Sequence, residues 1–156
     1  MLLEARHADP RSVLVVEDCD DDFDTVVVAA ARAQVANRLV RAAEADVAWR
    51  LLAVEPVESF AFMLLDYNLQ GPDGLSLLDQ VRGEGLLARL PVVVFTTSVN
   101  PRDREVFYSA GASAFHVKSV QYTDCLNTLE SIFGQWLNRV TLPNGAAISS
   151  PARRSA

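Results

Sequence analysis

Four short runs of branched and aromatic apolar residues recur along the chain, at residues 13–16, 60–65, 92–95 and 114–117. Runs of this length and composition, bounded by polar residues or turn formers, predict buried strands. A fifth, less apolar candidate covers residues 39–43. Between the strands the apolar positions change to helical spacing: Phe23, Val26, Val27 and Ala30, then Val47, Leu51 and Leu52, then Leu75, Leu78 and Val81. The polar segment 101–110 is expected to turn Val106 and Phe107 inward, and residues 122–137 set Leu126, Leu129, Ile132, Phe133 and Trp136 on one stripe. Five strand and helix pairs in strict alternation predict a doubly wound α/β domain, a five-stranded parallel sheet with helices on both faces. Parallel neighbours need crossovers, and the crossovers are helices. The stretch 71–74 (Gly-Pro-Asp-Gly) is a loop signal ahead of the third helix, Pro91 opens the fourth strand, and Gly111 suits the C-terminal cap of the fourth helix. Residues 1–11 read as an arm and 12–142 as the domain. Residues 143–156, small, polar and proline-punctuated, read as a flexible tail.

In an open parallel sheet, ligands bind beyond the carboxyl ends of the strands. Those ends are consistently polar here: Glu17-Asp18 after the first strand, Asp66 after the third, Thr96-Thr97-Ser98 after the fourth and Lys118 after the fifth. The topology would gather carboxylates, a hydroxyl and a lysine on one rim. Clustered carboxylates repel unless a cation neutralises them, and an oxygen-liganded divalent ion, Mg²⁺ foremost, meets that need. Each acid alone could equally be a helix cap or a solvated charge. In particular Asp18, Asp20, Asp21 and Asp22 would favour the start of the first helix. The coincidence of these residue types at successive strand ends is what argues for a site. A calcium loop at 18–29 is excluded, because the sixth position is Phe23 and the twelfth is Ala29.

Composition narrows the partners. Twenty acidic against 14 basic residues give a net charge of -6, which argues against nucleic acid and anionic membranes. No apolar run approaches the roughly 18 residues of a membrane span. The first ten residues lack the basic and apolar segments of a secretory signal, so the expected location is cytoplasmic. Cys19 and Cys125 form no CxxC pair and are expected to be reduced thiols.

In order and spacing, Glu17-Asp18, the run 64–69 (Leu-Leu-Asp-Tyr-Asn-Leu) with Asp73-Gly74, the run 94–98 (Val-Phe-Thr-Thr-Ser) and the run 111–118 ending in Lys118 resemble the receiver domain of two-component response regulators. The run 15–22 and the ending 133–143 are most similar to the single-domain regulators that serve bacterial phytochrome histidine kinases. The resemblance implies a flavodoxin-like fold with strand order 2-1-3-4-5. It implies that Asp66 takes a phosphoryl group from a kinase phosphohistidine. It implies Mg²⁺ held by Asp18, Asp66 and the Asn68 carbonyl, with Glu17 direct or through water. Lys118 and Thr96 would contact phosphoryl oxygens, and Phe115 would follow Thr96 as an aromatic switch. Ser119 stands where the family usually has proline after a cis bond, leaving open whether the Lys118-Ser119 bond is cis or Lys118 is aimed differently. His116 is expected at a surface or interface.

With one helix and a tail after Lys118, output is expected through a changed surface rather than a further domain. The abundance of apolar residues at Ile132, Phe133, Trp136, Leu137, Val140 and Leu142 predicts a homodimer through the face of the fourth helix, fifth strand and last helix, extended by residues 133–142. Two other functions remain open: a degenerate receiver acting only as a docking module, and a Mg²⁺-dependent phosphohydrolase. The latter class carries its Asp-x-Asp pair at the first strand.

Overall fold

A computed structural model describes residues 9–67, 69 and 74–137 of the 156-residue chain. Five strands, β1 (Ser12–Val16), β2 (Leu39–Ala42), β3 (Phe60–Leu65), β4 (Val92–Thr96) and β5 (Ala114–Val117), alternate with five helices. These are α1 (Asp20–Arg32), α2 (Ala45–Val54), α3 (Gly74–Arg82), α4 (Pro101–Ser109) and α5 (Tyr122–Leu137). All strands pair in parallel in the order β2-β1-β3-β4-β5. This is the doubly wound, flavodoxin-like sheet expected from the alternation.

The pleat divides the core in two. Leu14, Val16, Met63, Leu65, Val92 and Val94 face a layer built from α2, α3 and α4, while Val13, Val15, Phe62, Leu64, Val93 and Phe95 face α1 and α5. Both faces are covered, so β3 is buried at all six positions, and the central strands read as continuous apolar runs. The edge strand β5 is covered less fully, and Val117 is exposed.

Two helix faces differ from the expected ones. In α1 the buried residues are Val26, Ala29 and Ala30, and Val27 points to solvent. In α4 Phe107 is fully buried and Val106 is exposed. Residues adjacent in sequence lie about 100° apart around a helix, so a narrow contact stripe takes one of the pair. Gly111 follows α4 with φ of 103°, a left-handed conformation that suits glycine and ends the helix.

Residues 9–11 of the expected arm are held against the domain. Asp9 and Arg11 form an ion pair at 2.8 Å, and the Arg11 carbonyl accepts from Asn37 Nδ2 at 2.8 Å. Residues 1–8 and the expected tail, 143–156, lie outside the described residues. Among the described residues, no helix is long and apolar enough to cross a membrane.

Candidate functional site

Each strand-end residue at the carboxyl rim is anchored through its backbone to the neighbouring strand. Glu17 N donates to Ala42 O at 3.0 Å, Asp66 N to Val16 O at 3.1 Å, and Lys118 N to Thr96 O at 2.6 Å. The ladder therefore continues one residue past the strands and fixes where these side chains start. Behind Asp66, the start of α3 approaches closely: a Cβ on Gly74 would stand 2.7 Å from the Asp66 carbonyl oxygen. Only glycine fits there without displacing the Asp66 backbone.

The side chains converge on the ammonium of Lys118. Its Nζ donates to Glu17 Oε1 at 2.7 Å, Asp22 Oδ2 at 2.9 Å and Asp66 Oδ2 at 3.3 Å. Side-chain exposure is 8% for Lys118, 5% for Glu17 and 8% for Asp66, against 44% for Asp22. Three carboxylates around one cation leave excess negative charge in a mostly buried pocket. Burial pushes the Glu17 carboxyl up to about 7, opposed by its hydrogen bond to Lys118 and reinforced by the Asp66 charge. Burial alone would depress the Lys118 ammonium, but its hydrogen bond to Glu17, the charge of Asp66 and its hydrogen bond to Asp22 raise it overall. The lysine also lies 5.7 Å from the Phe95 ring centroid. No cis peptide bond occurs among the described residues, so Lys118-Ser119 is trans, and Lys118 nonetheless points into the acidic pocket.

Glu17, Asp22 and Asp66 each offer a carboxylate oxygen within 4.8 Å of the others. That donor set, all oxygen and rich in charge, fits a hard divalent cation. Of the expected ligands, Glu17 and Asp66 belong to this trio; Asp18 is half-buried and does not, and the third member is Asp22 from the first turn of α1. The sequence signal for Asp22 was its position two residues into α1, where side chains lean back toward the helix N-terminus and hence toward the strand end. Asn68 lies outside the described residues.

Thr96 is fully buried, and its Oγ1 accepts from Ser98 N at 3.3 Å, tying the β4–α4 loop to the strand end. That loop leads into α4 through Asn100, whose side chain caps Arg102 N at 3.0 Å, with Pro101 in the first helical turn. Phe115 is already buried, with its ring centroid 5.9 Å from that of Phe107, which lies 5.0 Å from that of Tyr67 beside Asp66. Its backbone N donates to the Tyr108 hydroxyl at 3.1 Å. An aromatic chain thus links the site to β5, with Tyr67 and Phe107 as members not read as such from sequence. Arg41, also unforeseen, bonds the Glu17 carbonyl at 3.0 Å and Asp20 at 2.7 Å. His116 is half-buried rather than on an open surface, and among the described residues its Nε2 has no hydrogen-bond partner. Cys19 and Cys125 are free thiols.

The expected interface residues divide. Phe133 and Leu137 are buried in the domain's own core with Ile132, where Phe133 meets Phe62 edge-on at 6.2 Å. They are therefore unavailable to a partner, which corrects the expectation. Trp136 packs against the same cluster while partly exposed, and Val140 and Leu142 lie outside the described residues.

Residues 13–130 match the response regulator receiver domain family. Response regulator Rcp1 of Synechocystis sp. is 29% identical over 138 residues, covering 86% of this chain and 94% of Rcp1. Among solved structures, the Mn(2+)-bound form of Rcp1 superposes with a TM-score of 0.76 at 29% identity, over 86% of this chain and 99% of its own. The phosphorylated cyanobacterial phytochrome response regulator RcpA gives the same TM-score at 28% identity, over 85% and 98%. The bacteriophytochrome response regulator AtBRR is 31% identical with a TM-score of 0.62, over 79% and 94%.

Proposed function

The chain belongs to the response regulator receiver domain family, and from that premise we propose that it takes a phosphoryl group from a sensor histidine kinase onto Asp66. The observation that carries this reading is the contact between Asp66 Oδ2 and Lys118 Nζ at 3.3 Å inside a buried acidic pocket. A carboxylate held there is a nucleophile beside a cation suited to a phosphoryl oxygen. In the proposed step an Asp66 oxygen attacks phosphorus, the phosphorus–nitrogen bond to the kinase histidine breaks, and the leaving imidazole nitrogen takes a proton. Lys118 donates to a phosphoryl oxygen. The Thr96 hydroxyl, now bonded to Ser98 N, turns to another oxygen and releases the loop that leads into α4. Asp18, Asp66 and the Asn68 carbonyl, with Glu17 direct or through water, would hold Mg²⁺, which when bound would neutralise charge on the transferring group.

The kinase is of the phytochrome class in this reading, supported by the phytochrome and bacteriophytochrome response regulators among the similar structures. The chain acts as a signalling phosphoacceptor that catalyses only its own phosphorylation and dephosphorylation. Its output is a changed surface around α4, β5 and the start of α5, where Val106, Val117, Val120 and Tyr122 are exposed. The surface would mediate homodimerisation or engage a downstream protein.

Phosphotransfer tests the reading. A phytochrome histidine kinase carrying labelled phosphate should pass label to the wild type and none to Asp66→Asn, which keeps the shape and removes the nucleophile. Label on that variant would contradict the assignment, and a steady turnover of small phosphate esters would favour a phosphohydrolase instead.

A further inference from the structure

Lys118 is the only lysine in the chain, and its resting contacts do not favour the residue it is meant to serve. An ammonium has three donors. Here they meet Glu17 at 2.7 Å, Asp22 at 2.9 Å and Asp66 at 3.3 Å, so the two shorter bonds lead away from the phosphoacceptor. The donor now on Asp66 can pass to a phosphoryl oxygen there, but this draws the ammonium toward Asp66 and lengthens one of the two shorter bonds. Glu17 is poorly placed to be released. Its side chain is 5% exposed, its backbone N is bonded to Ala42, and its carbonyl accepts from Arg41. Asp22 differs on each count. It sits in the first turn of α1, its side chain is 44% exposed, and water can take over its hydrogen bonds at once.

We propose that Asp22 is a positioning residue that holds Lys118 in the resting site and competes with the phosphoryl group for its ammonium. The competition rests on the phosphoacceptor reading, whereas the holding does not. Two simpler roles for Asp22 make different demands. A charge placed only to favour the helix N-terminus would be interchangeable with Asp20 and Asp21 in the same turn. A charge placed to ligate metal would be missed chiefly by the metal. Neither role requires the 2.9 Å contact with the lysine.

The test uses the intact chain in four forms: wild type, Asp22→Asn, Asp22→Glu, and Asp21→Asn, which removes an equivalent helix-terminal charge. With ¹⁵N-lysine labelling, the single lysine gives a single ammonium resonance. In metal-free protein, its proton exchange should be faster in Asp22→Asn by about two- to fivefold, the range expected for loss of a half-exposed ion pair. It should be unchanged in Asp21→Asn and restored in Asp22→Glu. Beryllofluoride with Mg²⁺, a phosphoryl mimic, should bind Asp22→Asn about two- to fivefold more tightly than wild type. An ammonium signal indifferent to Asp22→Asn overturns the holding role. Beryllofluoride affinity that stays level or falls in that variant overturns the competition. A loss of tenfold or more in affinity for Mg²⁺ alone in Asp22→Asn makes Asp22 a metal ligand and overturns the proposal. If beryllofluoride fails to bind even the wild type, the phosphoacceptor reading falls and the ammonium exchange decides the holding role by itself.

Discussion

At the scale of single residues, the chemistry is set by too many carboxylates sharing one cation. Glu17 shows the consequence most plainly, because burial and the Asp66 charge push its carboxyl from the ordinary 4.5 up to about 7 despite the bond to Lys118. Between those values the folded chain holds a proton that the unfolded chain has released. The stability this contributes is complete below about 4.5 and is lost as pH rises through about 7. Metal-free wild type should therefore lose melting temperature relative to Glu17→Gln across that window, and a constant difference between the two would contradict the raised value. Lys118 adds nothing to this slope, since its raised pKa places its own loss of stability in the alkaline range. Mg²⁺ must displace the Glu17 proton, so calorimetry should find tighter binding at pH 8 than at pH 6, with proton release at the lower pH. Lys118→Ala should bind Mg²⁺ at least as well as wild type, because removing a cation from the cluster leaves its place to another, and should be phosphorylated more slowly. A large loss of Mg²⁺ affinity in that variant would make the lysine a builder of the pocket. His116 is held below its usual 6.5 by burial first and the Arg104 charge second, so its imidazole should titrate below that value in an NMR pH series.

At the scale of elements, the sheet was legible because a parallel strand covered on both faces needs apolar residues at every position, and β3 meets that demand in full. The strand-end residues were legible for the same reason: a polar residue that interrupts such a run marks the rim. Helix faces were less legible. Val26 and Val27, or Val106 and Phe107, are chemically alike in sequence, and only the tertiary contact decides which is buried. Asp22 was hidden differently, since its partner Lys118 lies 96 residues away and an acidic first turn explains itself locally. In α5 the apolar residues were read correctly as numerous and incorrectly as surplus, because Phe133 and Leu137 are needed by the domain's own core. Phe133→Ala should accordingly cost about 3–5 kcal/mol in urea unfolding, the range for a buried aromatic. A change under about 1 kcal/mol would return Phe133 to the surface.

At the scale of the whole molecule, two connections join the buried pocket around Asp66, the proposed phosphoacceptor, to a remote face. One runs from Thr96 through Ser98 into α4, and the other through the rings of Tyr67, Phe107 and Phe115. Val117 and Val120 are exposed at the edge of that face, and an apolar pair there would be covered if two copies met. Val117→Asp with Val120→Asp should give a folded monomer in sedimentation, whereas a wild type that sediments as a monomer both with and without phosphate would contradict the dimer. All of this depends on Asp66 being the group that is modified, and intact-mass measurement asks that directly. Incubated with acetyl phosphate and Mg²⁺, the wild type should gain about 80 Da, the mass of one phosphoryl group held as an acyl phosphate. The gain should vanish in Asp66→Asn and when the metal is chelated. A wild type that gains nothing, or an Asp66→Asn variant that gains the same mass, would contradict the account.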